Sequence, residues 1–147
     1  MKDINLTDYR DDIDKLLVYL PWLESKAGTS VSRIYSDNNL SANSVPFPVY
    51  DSTLLNFVNE ASSTGLMDEN YAYAYTNYGI RSIDDEKEAI SHAGVSDGAL
   101  LCGIMSKYVL SGMRRGTVWS TAVTEGIFLL ILKRMKVLLE IWDAPLA

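Results

Sequence analysis

Ile127-Phe128-Leu129-Leu130-Ile131-Leu132 is apolar all the way round a helix. A helix with no polar face is buried on every side, so this run predicts a helix at the centre of the core. It lies within Thr117–Trp142, where Trp119, Ala122, Val123, Gly126, Ile127 and Leu130 share a stripe and Lys133, Lys136 and Glu140 form one polar edge. As one helix, Val118–Trp142 would run about 37 Å at ~1.5 Å per residue; Gly126 is where a break would fall. A second apolar segment, Ser96–Ser111, precedes it and repeats Leu100, Leu101, Ile104, Met105, Tyr108 and Val109 at helical spacing. Gly98 and Gly103 cost that helix roughly 1 kcal/mol each against Ala, which implies a close neighbouring backbone. The two segments join through Met113-Arg114-Arg115-Gly116. Together they predict a mainly α fold: a single domain over 1–147, five to six helices around the C-terminal one.

Upstream, Tyr9, Ile13, Leu16, Leu17 and Leu20 recur on one helical face, with Thr7 as the expected cap and Asp8, Asp11, Asp12 and Asp14 at the positive end of the dipole. Pro21 should end or kink this helix. Residues 28–49 have no helical period, and the β-prone pieces Val31–Tyr35 and Val45–Val49 read as a small hairpin or an irregular loop. Asp51 is the expected cap of the next helix, with Tyr50 and Leu55 as a staple, Leu54, Leu55, Phe57, Val58 and Ala61 as its buried stripe, and Gly65 as a left-handed stop. Asp68 and Gly79 bracket a helix carrying Tyr71, Tyr73, Tyr75 and Tyr78, and a short acidic helix, Asp84–Ala93, closes at Gly94.

The chain has 147 residues, of which 48% are hydrophobic and 22% charged, a globular balance that excludes a disordered one. Cys102 is the only cysteine, which excludes an internal disulfide and a cysteine-based zinc site. The polar, acidic start is unlike a signal peptide and no apolar run approaches a membrane span, so a cytoplasmic protein without a membrane partner is expected. The net charge of −6 is uneven: residues 1–97 carry 16 acids and 7 bases, residues 98–147 carry 3 acids and 6 bases. An acidic body disfavours nucleic acid as a partner.

The chemistry-bearing residues are few. His92, the only histidine, is placed to cap carbonyls at a helix end. Cys102 sits in an apolar helix and reads as a buried structural thiol. Asp84, Asp85, Glu86 and Glu88 read as a solvated helix start, and the four tyrosines at 71–78 as packing residues whose hydroxyls reach water. No catalytic, cofactor-binding or metal-ligating residue is assigned. The strongest binding candidate is the turn with Arg114 and Arg115 before Thr117, where arginines meet the free N–H groups of a helix start. Ile141 and Trp142, at the end of the last helix, are the candidate interface of a symmetric homodimer.

Pro46-Phe47-Pro48-Val49-Tyr50-Asp51, Gly65-Leu66-Met67-Asp68 with Tyr71, and Arg115-Gly116 with Trp119, Gly126-Ile127-Phe128 and Ile131-Leu132-Lys133-Arg134-Met135 resemble an uncharacterised family of small bacterial proteins over about residues 10–140. The resemblance implies a bacterial cytoplasmic protein and transfers no activity.

The expected function is therefore a small protein-interaction or regulatory module without cofactor, bound to a protein partner or to itself. An anion or nucleic-acid binder using Arg114 and Arg115 is the alternative, and a small enzyme with a tyrosine-lined pocket ranks last. An interaction module should expose an apolar patch. An anion binder needs both arginines on one exposed concavity, and an enzyme needs a deep polar pocket.

Overall fold

The computed structural model describes residues 5–28, 32–35, 47–50, 52–115 and 117–143, with the backbone alone for 32–35, 47–50, 142 and 143. A 3₁₀ turn, Leu6–Tyr9, leads into α1 (Arg10–Leu17) and α2 (Leu20–Lys26). Strands β1 (Ser32–Tyr35) and β2 (Phe47–Tyr50) precede α3 (Ser52–Ser62), α4 (Ala72–Tyr78) and α5 (Ile83–His92). Then come α6 (Gly98–Gly112), α7 (Thr117–Thr124) and α8 (Ile127–Asp143).

The fold is mainly helical, and the described residues form eight α-helices rather than five or six because the last expected helix is broken in two and a further helix, α2, follows α1. Pro21 has no N–H to give the preceding turn, so α1 stops at Leu17 and α2 restarts with Pro21 in its first turn. At the second break Gly126 takes a φ of +75°, open to glycine and strained for other residues, and separates α7 from α8. The strands pair antiparallel, Ser32 opposite Tyr50 and Tyr35 opposite Phe47, one or two residues displaced from the expected pieces.

Several local expectations are corrected. Asn5, not Thr7, caps the first turn, its Oδ1 accepting from the Thr7 N–H at 3.1 Å. Gly65 is not left-handed; a Cβ there would lie 2.8 Å from the Tyr9 ring, so glycine is required by close approach. Leu55 is exposed, leaving Leu54, Phe57, Val58 and Ala61 as the buried face of α3. The Asp51 cap lies outside the described residues. Asp68 caps the turn before α4, accepting from the Asn70 N–H at 2.9 Å, and Gly79 closes α4 at φ +66° as expected. For α5 the cap is Ser82, which accepts from the Asp85 N–H at 3.1 Å.

The centre of the core is α6, not α8. In α6 all but Lys107, Leu110 and Ser111 are buried. Small residues let neighbours close on it. A Cβ on Gly103 would come 2.7 Å from the Ala74 Cβ of α4. The buried Ser106 hydroxyl donates to the Cys102 carbonyl at 2.6 Å and accepts from the Asp68 N–H at 2.8 Å. Helix α8 packs on α1, α2, α5, α6 and α7 through Ile127, Phe128, Ile131, Leu132, Met135, Leu138 and Leu139. Its Leu129 and Leu130 are only half-buried, and Val137 and Ile141 are exposed. The six-residue apolar run is thus the buried face of a helix with one exposed edge, plus two residues bordering that edge. Phe57 joins the halves of the core, its ring 5.3 Å from Tyr19 and 4.8 Å from Phe128.

Candidate anion-binding groove

The arginine turn is held by a tryptophan. Trp119 is buried on α7, and its indole Nε1 donates to the Val109 carbonyl of α6 at 3.0 Å. The ring occupies space a side chain at position 112 would need: a Cβ on Gly112 would fall 1.9 Å from Nε1. Past Gly112 the Arg114 and Arg115 N–H groups both donate to the Ser111 carbonyl at 3.1 Å. The backbone of the turn is thereby fixed while both arginine side chains are exposed.

Both line one groove of about 620 Å³, together with Lys107, Tyr71, Ser111 and Glu69 and with Leu110 and Val118 as apolar wall. Among the described residues neither arginine forms an ion pair. Two arginines without an ion pair, and Lys107 paired with Glu86, share the groove with Glu69, so its lining carries a net positive charge. The Tyr71 and Ser111 hydroxyls hydrogen-bond to each other at 3.2 Å, which leaves one of the two O–H groups as a neutral donor. Thr117, expected beside the arginines, is exposed on α7 but does not line the groove. The Val118 N–H is already taken by the Arg115 carbonyl at 2.9 Å. The groove therefore rests on side-chain charge rather than on the start of α7.

A second constellation was not expected. Glu86, read from sequence as part of a solvated acidic start, is 1% exposed. Its Oε1 accepts from the Tyr108 hydroxyl at 2.6 Å, and its Oε2 accepts from the Tyr75 hydroxyl and lies 3.5 Å from the Lys107 Nζ. Lys107 also sits over the Tyr75 ring, 4.6 Å from its centroid. One carboxylate thus ties α4, α5 and α6, and the partners present make its burial tolerable. The signal was available: Glu86 stands three residues after Ile83 and four before Ile90, on the apolar row of its own helix.

Burial, then the hydrogen bond and charge of Glu86, push the Tyr75 and Tyr108 hydroxyls well above the usual tyrosine range. They stay protonated near neutral pH and act as donors, which is the wrong direction for a general base. The 350 Å³ pocket beside them, lined by Tyr75, Arg81, Ser82, Ile83, Glu86 and Lys107 among others, therefore has a structural floor.

The remaining candidates take local roles. His92 Nδ1 lies 2.9 Å from the Glu88 carbonyl, the capping geometry expected of it. Cys102 is fully buried. Tyr78 donates to Asp97 at 2.8 Å, while Tyr73 projects into solvent; the four tyrosines do not line one pocket. Ile141 is 57% exposed and lies one turn from the exposed Val137, and the Trp142 side chain lies outside the described residues. Among the described residues no helix is long and apolar enough to cross a membrane.

No protein-family model matches the chain, and no curated protein or solved structure matches it.

Proposed function

We propose that this protein is a small binding module whose working surface is the Arg114–Arg115 groove, and that it takes an anionic group there. One observation carries the reading: both arginines and Lys107 line a single 620 Å³ concavity, and the arginines have no ion-pair partner among the described residues. An exposed cation pair on a backbone fixed by Trp119 is pre-organised for a ligand rather than spent on the fold. This places anion recognition ahead of an interaction through apolar surface alone, while keeping the protein an interaction module when the anion belongs to a partner protein. The bacterial, cytoplasmic setting suggested by the sequence resemblance goes with this reading.

Pyrophosphate titration by calorimetry tests it. Binding should weaken as salt rises, and Arg114→Ala/Arg115→Ala should weaken it about tenfold, since two exposed charge contacts are worth up to ~1 kcal/mol each. Equal affinity in the wild type and the double variant would refute the assignment. A second reading, self-association through α8, draws on the exposed Val137 and Ile141 one turn apart. Sedimentation of wild type against Ile141→Asp tests that; a wild type that is monomeric at micromolar concentration ends it.

A further inference from the structure

Lys107 lines two cavities: the Arg114–Arg115 groove and the 350 Å³ pocket with Arg81 and Ser82. The two hollows therefore adjoin at one side chain. Arg81 is exposed, and among the described residues its guanidinium has no ion pair. Glu86 offsets part of the Lys107 charge, leaving Arg81 in one hollow and the arginine pair in the other as the uncompensated cations. We infer that the two hollows form one track, and that its occupant is an extended acidic peptide segment of a partner protein. The inference rests on the reading that the groove binds anions.

Span and wall chemistry select this occupant. Lys107 stands five residues, about 7–8 Å, before the end of α6 at Gly112; Arg114 and Arg115 lie past that end, and Arg81 lines the other hollow. A compact anion occupies one hollow, whereas an extended peptide advances ~3.3 Å per residue and passes from one hollow to the other. Its side chains alternate, so acids on one face meet the cations while apolar residues on the other meet Leu110, Val118, Ile80 and Ile83. Single-stranded nucleic acid would instead require open aromatic faces for stacking. Here the Tyr75 ring is covered by Lys107, which leaves Tyr71 as the one aromatic side chain lining the groove among the described residues.

The test uses the full chain, fluorescence anisotropy, and two labelled peptides of alternating Glu and Leu, one of ten residues and one of four. Arg81→Gln should weaken the ten-residue peptide about three- to fivefold, the worth of one exposed charge contact. It should leave the four-residue peptide and pyrophosphate unchanged. Arg114→Gln/Arg115→Gln should weaken all three. Circular dichroism checks that each variant is folded, and Arg81, being exposed, should not disturb it. A ten-residue peptide indifferent to Arg81→Gln would overturn the track while leaving the groove intact. So would a ten-nucleotide oligothymidylate that binds as tightly as the peptide. Pyrophosphate indifferent to the arginine pair would remove the groove reading itself.

Discussion

Gly112→Ala adds one methyl group where the Trp119 indole lies, with Nε1 1.9 Å from the new carbon and Cδ1 at 2.1 Å. Neither atom belongs to a flexible chain end, so the whole ring must move, and its bond to the Val109 carbonyl goes with it. Overpacking of this kind costs about 1–3 kcal/mol, and the lost hydrogen bond about 1 kcal/mol more. Better helix propensity returns at most ~1 kcal/mol at this last helical position. The net loss is about 1–3 kcal/mol, a fall in Tm of about 2–12 °C for a chain near 150 residues. Thermal unfolding followed by circular dichroism reads it, and tryptophan fluorescence reports the moved indole. Because Trp119 holds the arginine turn, pyrophosphate affinity should fall in the same variant. A Gly112→Ala protein as stable as wild type would show that α7 is not stapled to α6 through this ring.

The half-buried Leu130 predicts that Leu130→Ala loses about 1–2 kcal/mol, below the range of a fully buried leucine, while Phe128→Ala loses about 3–5 kcal/mol; equal losses in urea unfolding would place Leu130 in the core after all. Cys102, fully buried, should react with a thiol reagent only as the chain opens, and labelling at the rate of a free thiol would contradict its position. The Tyr75 and Tyr108 hydroxyls are raised in the folded state, so folding favours their protonated forms. Their contribution should be intact below the ordinary tyrosine value of ~10 and lost as pH climbs past it. Stability should therefore decline above about pH 10, and less steeply in Tyr75→Phe/Tyr108→Phe; an equal decline would detach the Glu86 network from alkaline unfolding.

Local sequence identified the helical class and the capping role of His92 and marked Gly126 as the place where a break would fall, because each follows from residues adjacent in sequence. It misplaced the centre. The run Ile127–Leu132 drew the centre to α8, yet over its full length α6 is the more apolar helix, and Gly103 and Ser106 let neighbours close on it. Glu86 was misread for a related reason: its acidic neighbours suggest solvent, while its partners Tyr75, Lys107 and Tyr108 come from two other helices. The arginine pair was visible in the turn. Its convergence with Lys107 was not, because the chain leaves α6 at Gly112 and helical spacing does not carry from Lys107 to Arg114 and Arg115.

Helix α4 has only seven residues, too few to persist alone. Beyond Ala74 against Gly103, it is moored by hydroxyls at its borders and middle: Tyr71 to Ser111, Tyr75 to Glu86 and Tyr78 to Asp97. Those moorings reach α5, α6 and the link between them, while Ala72, Tyr73, Thr76, Asn77 and Tyr78 face outward. The amides of α4 should therefore exchange with solvent through local opening, many-fold faster than those of α6, whose exchange requires the whole domain to open. Tyr71 also lines the groove and Tyr75 the adjoining pocket. An occupant seated there would slow exchange in α4 first, so the shortest helix beside the site becomes the natural reporter of whether it is filled.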